Sequence, residues 1–211
     1  MTRTERRIAT PHGEARLVTD RARKPRASLL LSHGAGAGID TWDLELLADR
    51  LPRRGFTVVR LEQPWKVAGR RIATPPPTLD EGLVAGADAL RGRVPLLVGG
   101  RSAGARSAAR CARGLGAVGV LALSFPLHPP GRPERSRLPE LRGARLPLLV
   151  VQGERDPMGR PEELPPDVET VVVPGGDHGL KVPARAALDQ EEAGELVVDE
   201  VVAWLGRVVR G

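Results

Sequence analysis

The chain has 211 residues, enough for one domain with a sizeable core, and its 41% hydrophobic and 27% charged residues are ordinary for a soluble globular protein. A net charge of +6 raises a nucleic-acid partner, but the arginines are spread along the whole chain among acids. With no Tyr, two Phe and three Trp there are few stacking platforms for bases, so no nucleic-acid partner is expected. No apolar run approaches the roughly 18 residues that span a bilayer, so no membrane partner is expected either. In chain order, "RRIATPHGEARLVTD" reads as a hairpin turning at Pro11, His12 and Gly13. The short Val/Leu runs at 27–33, 56–63, 94–100, 119–125, 147–153 and 169–175 lack polar alternation, as strands buried on both faces of a parallel sheet do.

Between them lie helical patterns. Residues 40–55 start on Asp40 as a cap, and residues 78–93 start on Thr78 with Glu81 at the spacing of a capping box. Residues 102–116 form a short, small-residued helix, and 188–210 form the longest amphipathic pattern. Its stripe runs through Leu196, Val197, Glu200, Val201, Trp204, Leu205 and Val208. Residues 64–77 read as an extended surface loop, and 126–147 as too rich in Pro and Arg for a long helix. Strands alternating with helices predict an α/β fold with a doubly wound, mostly parallel sheet. The N-terminal hairpin forms its antiparallel edge, residues 1–211 make one domain, and no large lid fits. The N-terminus has no apolar segment of a signal peptide and Cys111 is the only cysteine, so a cytoplasmic location is expected.

The stretch "LLVGGRSAGARSAAR" carries G-x-S-x-G between a strand and a helix, where a sharp turn would lift the Ser102 hydroxyl to the carboxyl end of the sheet. Alone, the motif does not separate a nucleophile from a small residue in a tight turn. The rest of the chain supplies the other parts. His178 follows the last predicted strand in "VVVPGGDHGL" and is the candidate base. Asp156 follows the preceding strand in "QGERDPMG" and is the candidate acid, with Glu154 and Asp177 as rivals. The order Ser102, Asp156, His178 is that of α/β-hydrolases. "SHGAGAG" after the first parallel strand offers the Ala35 N–H as one oxyanion donor, and Ala103, after the serine, offers the second. The same glycines raise a dinucleotide loop with Glu62 as a ribose acid, although Ile39 stands where G-x-G-x-x-G needs its third glycine.

On "SHGAGAG", "GGRSAGAR", "LSFPLHPPGRPE", "QGERDPMG" and "GGDHGL", the chain resembles the α/β-hydrolase superfamily over nearly its whole length. More narrowly, it is similar to the small lidless branch related to dienelactone hydrolases, the KANL/Tex-like hydrolases. Dienelactone hydrolases use a cysteine nucleophile where this chain has Ser102, and Cys111 lies later, as a core thiol. The expected activity is that of a serine hydrolase acting on an ester or thioester, with a small-molecule acyl substrate and no cofactor or metal. A non-catalytic hydrolase-fold interaction module and a nucleotide-binding protein are the competing readings. Arg101 and Arg106 flank the serine as candidate carboxylate readers or as partners of acids, and 64–77 with 126–147 are the expected pocket walls. The sequence does not set the oligomeric state.

Overall fold

Runs of Val and Leu can pack on both sides of a sheet, and they do so here except in the run over 169–175, whose strand is an edge of the sheet and leaves Val172 exposed. A computed structural model describes residues 2–71, 73–90 and 92–210. The strands are β1 (Thr2–Thr10), β2 (Gly13–Arg21), β3 (Ala27–Ser32), β4 (Phe56–Glu62), β5 (Leu96–Arg101), β6 (Val120–Leu123), β7 (Leu148–Gly153) and β8 (Glu169–Val173). They form one eight-stranded sheet in the order β1-β2-β4-β3-β5-β6-β7-β8. The first two pairings, β1 with β2 and β2 with β4, are antiparallel, and the remaining five are parallel.

Helices cover both faces. On one, α1 (Trp42–Arg50) and α6 (Gln190–Val208) bury Leu44, Leu47, Val197, Val201 and Trp204 against Leu29, Leu31, Leu97 and Val151. On the other, α3 (Pro76–Asp88), α4 (Ala103–Cys111) and α5 (Leu138–Gly143) pack Leu83, Ala105, Ala108 and Leu141 against Leu30, Val98 and Val150. Leu29 and Leu31 point to one core and Leu30 to the other, the two-residue period of a strand with no solvent face. The alanines of α4 let it lie close on the sheet.

Local starts differ from expectation at two helices. α1 begins at Trp42 with Thr41, not Asp40, at its N-cap. α3 begins at Pro76, so Thr78 is inside the helix and does not cap it. Proline suits a first helical position, because its fixed φ is helical and its missing N–H would have no partner there. The Thr78 hydroxyl donates back to the Pro75 carbonyl at 2.5 Å, and Glu81 pairs with His12 at 2.8 Å. The capping box stands instead at α6, where Asp189 accepts from the Glu191 and Glu192 amides and Glu192 accepts from the Asp189 amide. The stretch 64–77 is not wholly extended. It opens with a short helix, α2 (Pro64–Val67), that buries Pro64 and Trp65. Along α6 the stripe is buried at Val197, Val201, Trp204 and Leu205, half-buried at Leu196 and Val208, and exposed at Glu200.

Candidate active site

Ser102 joins β5 to α4 with φ 54° and ψ −112°, a conformation that L-residues other than at strained turns rarely adopt. The turn is tight because β5 and α4 press against the end of β3. A Cβ at Gly100 or at Gly104 would run into the Ser32 carbonyl oxygen. Glycine at both positions is therefore steric necessity. Gly34 is tight as well, since a Cβ there would lie 3.3 Å from the Ser102 Cβ. The Ser102 amide donates to Leu123 of β6 at 3.0 Å, which pins the strained residue to the neighbouring strand.

The structure brings together the three residues singled out from the sequence. The His178 Nε2 lies 3.0 Å from the Ser102 Oγ, and its Nδ1 lies 2.7 Å from the Asp156 Oδ2. A carboxylate only accepts, so Nδ1–H donates to Asp156 and leaves Nε2 free to accept from the serine hydroxyl. Asp156 is fully buried. Its Oδ1 accepts from the Met158 amide at 2.8 Å and its Oδ2 accepts from the Gln152 Nε2 at 2.9 Å. The rival acids are engaged elsewhere: Glu154 accepts from the Gly175 amide, and Asp177 accepts from the amides of Gly179 and Lys181. The acid and histidine loops also abut, because a Cβ at Gly153 would strike the Gly176 and Asp177 carbonyls.

Two features of this cluster were not read from the sequence. Gln152, buried near the end of β7, donates to Asp156 and also, at 2.7 Å, to the Gly159 carbonyl. Its signal was a lone amide in the apolar run "PLLVVQG". The second is the anchoring of Arg101, which the sequence offered as a carboxylate reader or as a partner of acids without naming its contacts. Its Nη2 donates to the His178 carbonyl at 2.9 Å, and its Nε lies 3.1 Å from the Asp43 Oδ2. Asp43, at the start of α1, is 1% exposed; burial pushes its carboxyl up and Arg101 opposes that shift. Arg101 therefore ties the histidine loop to α1, and it is paired with an acid. Arg106 is paired likewise, donating to both oxygens of Glu140 at 2.6 and 2.9 Å.

The loop after β3 is held by His33, which is wholly buried. Its Nδ1–H donates to the Gly34 carbonyl at 2.8 Å, its Nε2 accepts from the Gln63 amide at 3.0 Å, and its ring meets Trp65 edge-on. Burial holds its pKa below the ordinary value, so the neutral ring is the resident form. Ala35 and Ala103 border the same pocket, of about 160 Å³. Ala73, Thr74 and Pro76 wall it, as expected of the 64–77 segment. The 126–147 segment does not line it and contributes Glu140 behind Arg106. Glu62, the acid a dinucleotide site would need, accepts from Arg16 at 2.9 Å. Cys111 is half-buried, and burial pushes its thiol up to about 11, so it is a poor nucleophile. Among the described residues, no cluster of three or more His, Cys, Asp or Glu is placed to hold a metal ion, and no helix is long and apolar enough to cross a membrane.

A mostly parallel sheet with an antiparallel hairpin at its edge, helices on both faces and a serine on a strained strand-to-helix turn defines an α/β-hydrolase. The chain belongs to that family: a family model described as an alpha/beta hydrolase domain matches residues 25–206. Solved structures share the fold. A lidless α/β serine hydrolase from Xanthomonas campestris is 17% identical with a TM-score of 0.67, over 100% of this chain and 94% of its own. The esterase domain of a Rhodothermus marinus protein is 17% identical with a TM-score of 0.74, over 99% and 100%. Dienelactone hydrolase from Anabaena variabilis is 16% identical with a TM-score of 0.75, over 98% and 97%. At these identities the likeness is one of fold. No curated protein sequence matches the chain.

Proposed function

We propose that this chain is a serine hydrolase that cleaves a carboxylic ester or thioester of a small molecule through an acyl-enzyme, with Ser102, His178 and Asp156 as its catalytic residues. The observation that carries the reading is the unbroken relay from the Ser102 Oγ through His178 to the buried Asp156, at 3.0 and 2.7 Å. The Ser102 Oγ attacks the carbonyl carbon while the His178 Nε2 takes the hydroxyl proton. The tetrahedral oxyanion is held by the Ala35 amide, in the loop after β3, and by the Ala103 amide at the N-terminus of α4. The imidazolium then hands its proton to the departing alkoxide or thiolate. Water, deprotonated by the same nitrogen, releases the acid and returns the proton to Ser102. Asp156 keeps the proton on Nδ1 and stabilises the imidazolium without becoming protonated itself. The esterase and serine-hydrolase neighbours support this class of chemistry. We place the enzyme in the cytoplasm, as one domain acting without a cofactor.

A fluorophosphonate probe tests the assignment. It should label the wild type and leave Ser102→Ala unlabelled, with ester turnover lost in parallel. Equal labelling of both proteins overturns it.

A further inference from the structure

The proposed hydrolase reading leaves the acyl group undefined, and the pocket beside Ala35 and Ala103 bears on it. The leaving-group oxygen has to face the His178 Nε2, the atom that protonates it. The other carbonyl substituent, the acyl chain, is then directed away from the histidine loop. The pocket is bordered by Ala35 and Ala103 and continues along Thr74, Pro76 and Leu79, with no residue of the 175–186 loop in its wall, so it offers the acyl chain room away from that loop. Its volume of about 160 Å³ has room for about five non-hydrogen atoms, taking the ~30 Å³ that a water occupies in the liquid.

Its far wall carries two arginines, which would ordinarily attract a carboxylate. Both are already satisfied. Arg106 grips both oxygens of Glu140, and Arg110 grips both oxygens of Asp80 at 2.7 and 2.9 Å and reaches Glu140 at 2.8 Å. Two cations thus face two carboxylates, so neither arginine of the wall is without an acid. The arginine stems and the Ala, Pro and Leu side chains present hydrocarbon to the pocket.

The geometry points to a short, uncharged acyl group of about two to six carbons, seated between α3 and α4, because Arg106 and Arg110 are already paired with Glu140 and Asp80 and offer no free cation to an acyl chain that ends in a carboxylate. This rests on the hydrolase reading and specifies its substrate.

The test varies acyl and alcohol separately. With p-nitrophenyl esters, kcat/KM should hold or rise from acetate to hexanoate and fall at least tenfold by decanoate. Acetates of alcohols of increasing length should differ by less than fivefold. Thr74→Trp, a change on the pocket rim, should move the cut-off down to acetate or propionate. Wild type should cleave methyl hexanoate at least tenfold better than monomethyl adipate, followed by proton release, and Glu140→Gln should narrow that ratio at least fivefold by leaving Arg106 without its acid. Decanoate cleaved as well as butyrate, a steep dependence on alcohol with none on acyl, or a wild-type preference for adipate overturns the inference. Any of these results with a labelled Ser102 leaves the hydrolase reading standing; absence of labelling removes that reading itself.

Discussion

Asp43→Asn isolates the charge that anchors Arg101. The substitution keeps the shape of the side chain and removes its negative charge from a site 1% exposed, 3.1 Å from the arginine Nε. At that distance two unit charges attract by about 5 kcal/mol at an effective dielectric of ~20, against which both partners were desolvated. Removing one partner of a buried pair costs about 3–5 kcal/mol, because the other charge is left uncompensated. Arg101 retains some contact with water, its side chain being 15% exposed, so the low end of about 3 kcal/mol applies. For a chain of this length each kcal/mol moves the melting temperature by roughly 2 °C, giving a fall of about 6–7 °C. Urea titration and calorimetry measure it. The double variant Asp43→Leu with Arg101→Met should recover most of the stability, since no lone charge remains, and the coupling should exceed about 1 kcal/mol. Ester turnover should stay depressed in the double variant, because the His178 carbonyl has lost the Arg101 donor. An Asp43→Asn variant within 0.5 kcal/mol of wild type, or a double variant equal to the sum of the singles, would refute the reasoning.

Gln152→Leu removes an amide that donates to Asp156 inside the core, a hydrogen bond to a charged group worth about 1.5–3 kcal/mol. The expected outcome in steady-state kinetics is a fall in kcat of roughly ten- to a hundredfold with KM little changed. His33 gives stability a pH dependence of definite sign. Burial lowers its folded pKa beneath the ordinary 6.5, with Glu62, Lys66 and Asp40 the charges nearest it. The unfolded chain therefore takes up the proton first, so stability is full above pH 6.5 and declines as the pH falls through and below it. His128 runs the opposite way, its pKa raised by the Pro129 carbonyl and, against some burial, by Glu163. Melting temperatures between pH 5 and 7.5 should accordingly fall less toward acid in His33→Gln than in wild type.

The strands were legible because burial on both faces leaves an unbroken apolar signature. Leu29, Leu30 and Leu31 need no alternation when each side of the sheet is covered. The candidate site was legible through order and position, since a serine after β5, an acid after β7 and a histidine after β8 all fall at the carboxyl ends of strands. Helix starts were less so. Thr78 fits a cap by spacing, yet Pro76 begins the helix because a proline ring is already helical in φ. The pairing of Arg101 with Asp43, 58 positions earlier in the sequence, and the neutralisation of Arg106 by Glu140 depend on which loops meet in space, so local pattern does not contain them.

The hairpin at the margin of the sheet has a consequence for the molecule in a crowded solution. β1 lies at the end of the strand order, and a marginal strand offers its backbone as a template for a stranger. Here that strand reads Thr-Arg-Thr-Glu-Arg-Arg-Ile-Ala-Thr, with Arg3, Glu5 and Arg7 already tied to Asp20, Arg16 and Glu14 of its neighbour. An incoming strand would have to desolvate this row of charges for little apolar gain. The hairpin thus acts as a fence, leaving the parallel strands that carry the candidate site free of edge-to-edge association on that side.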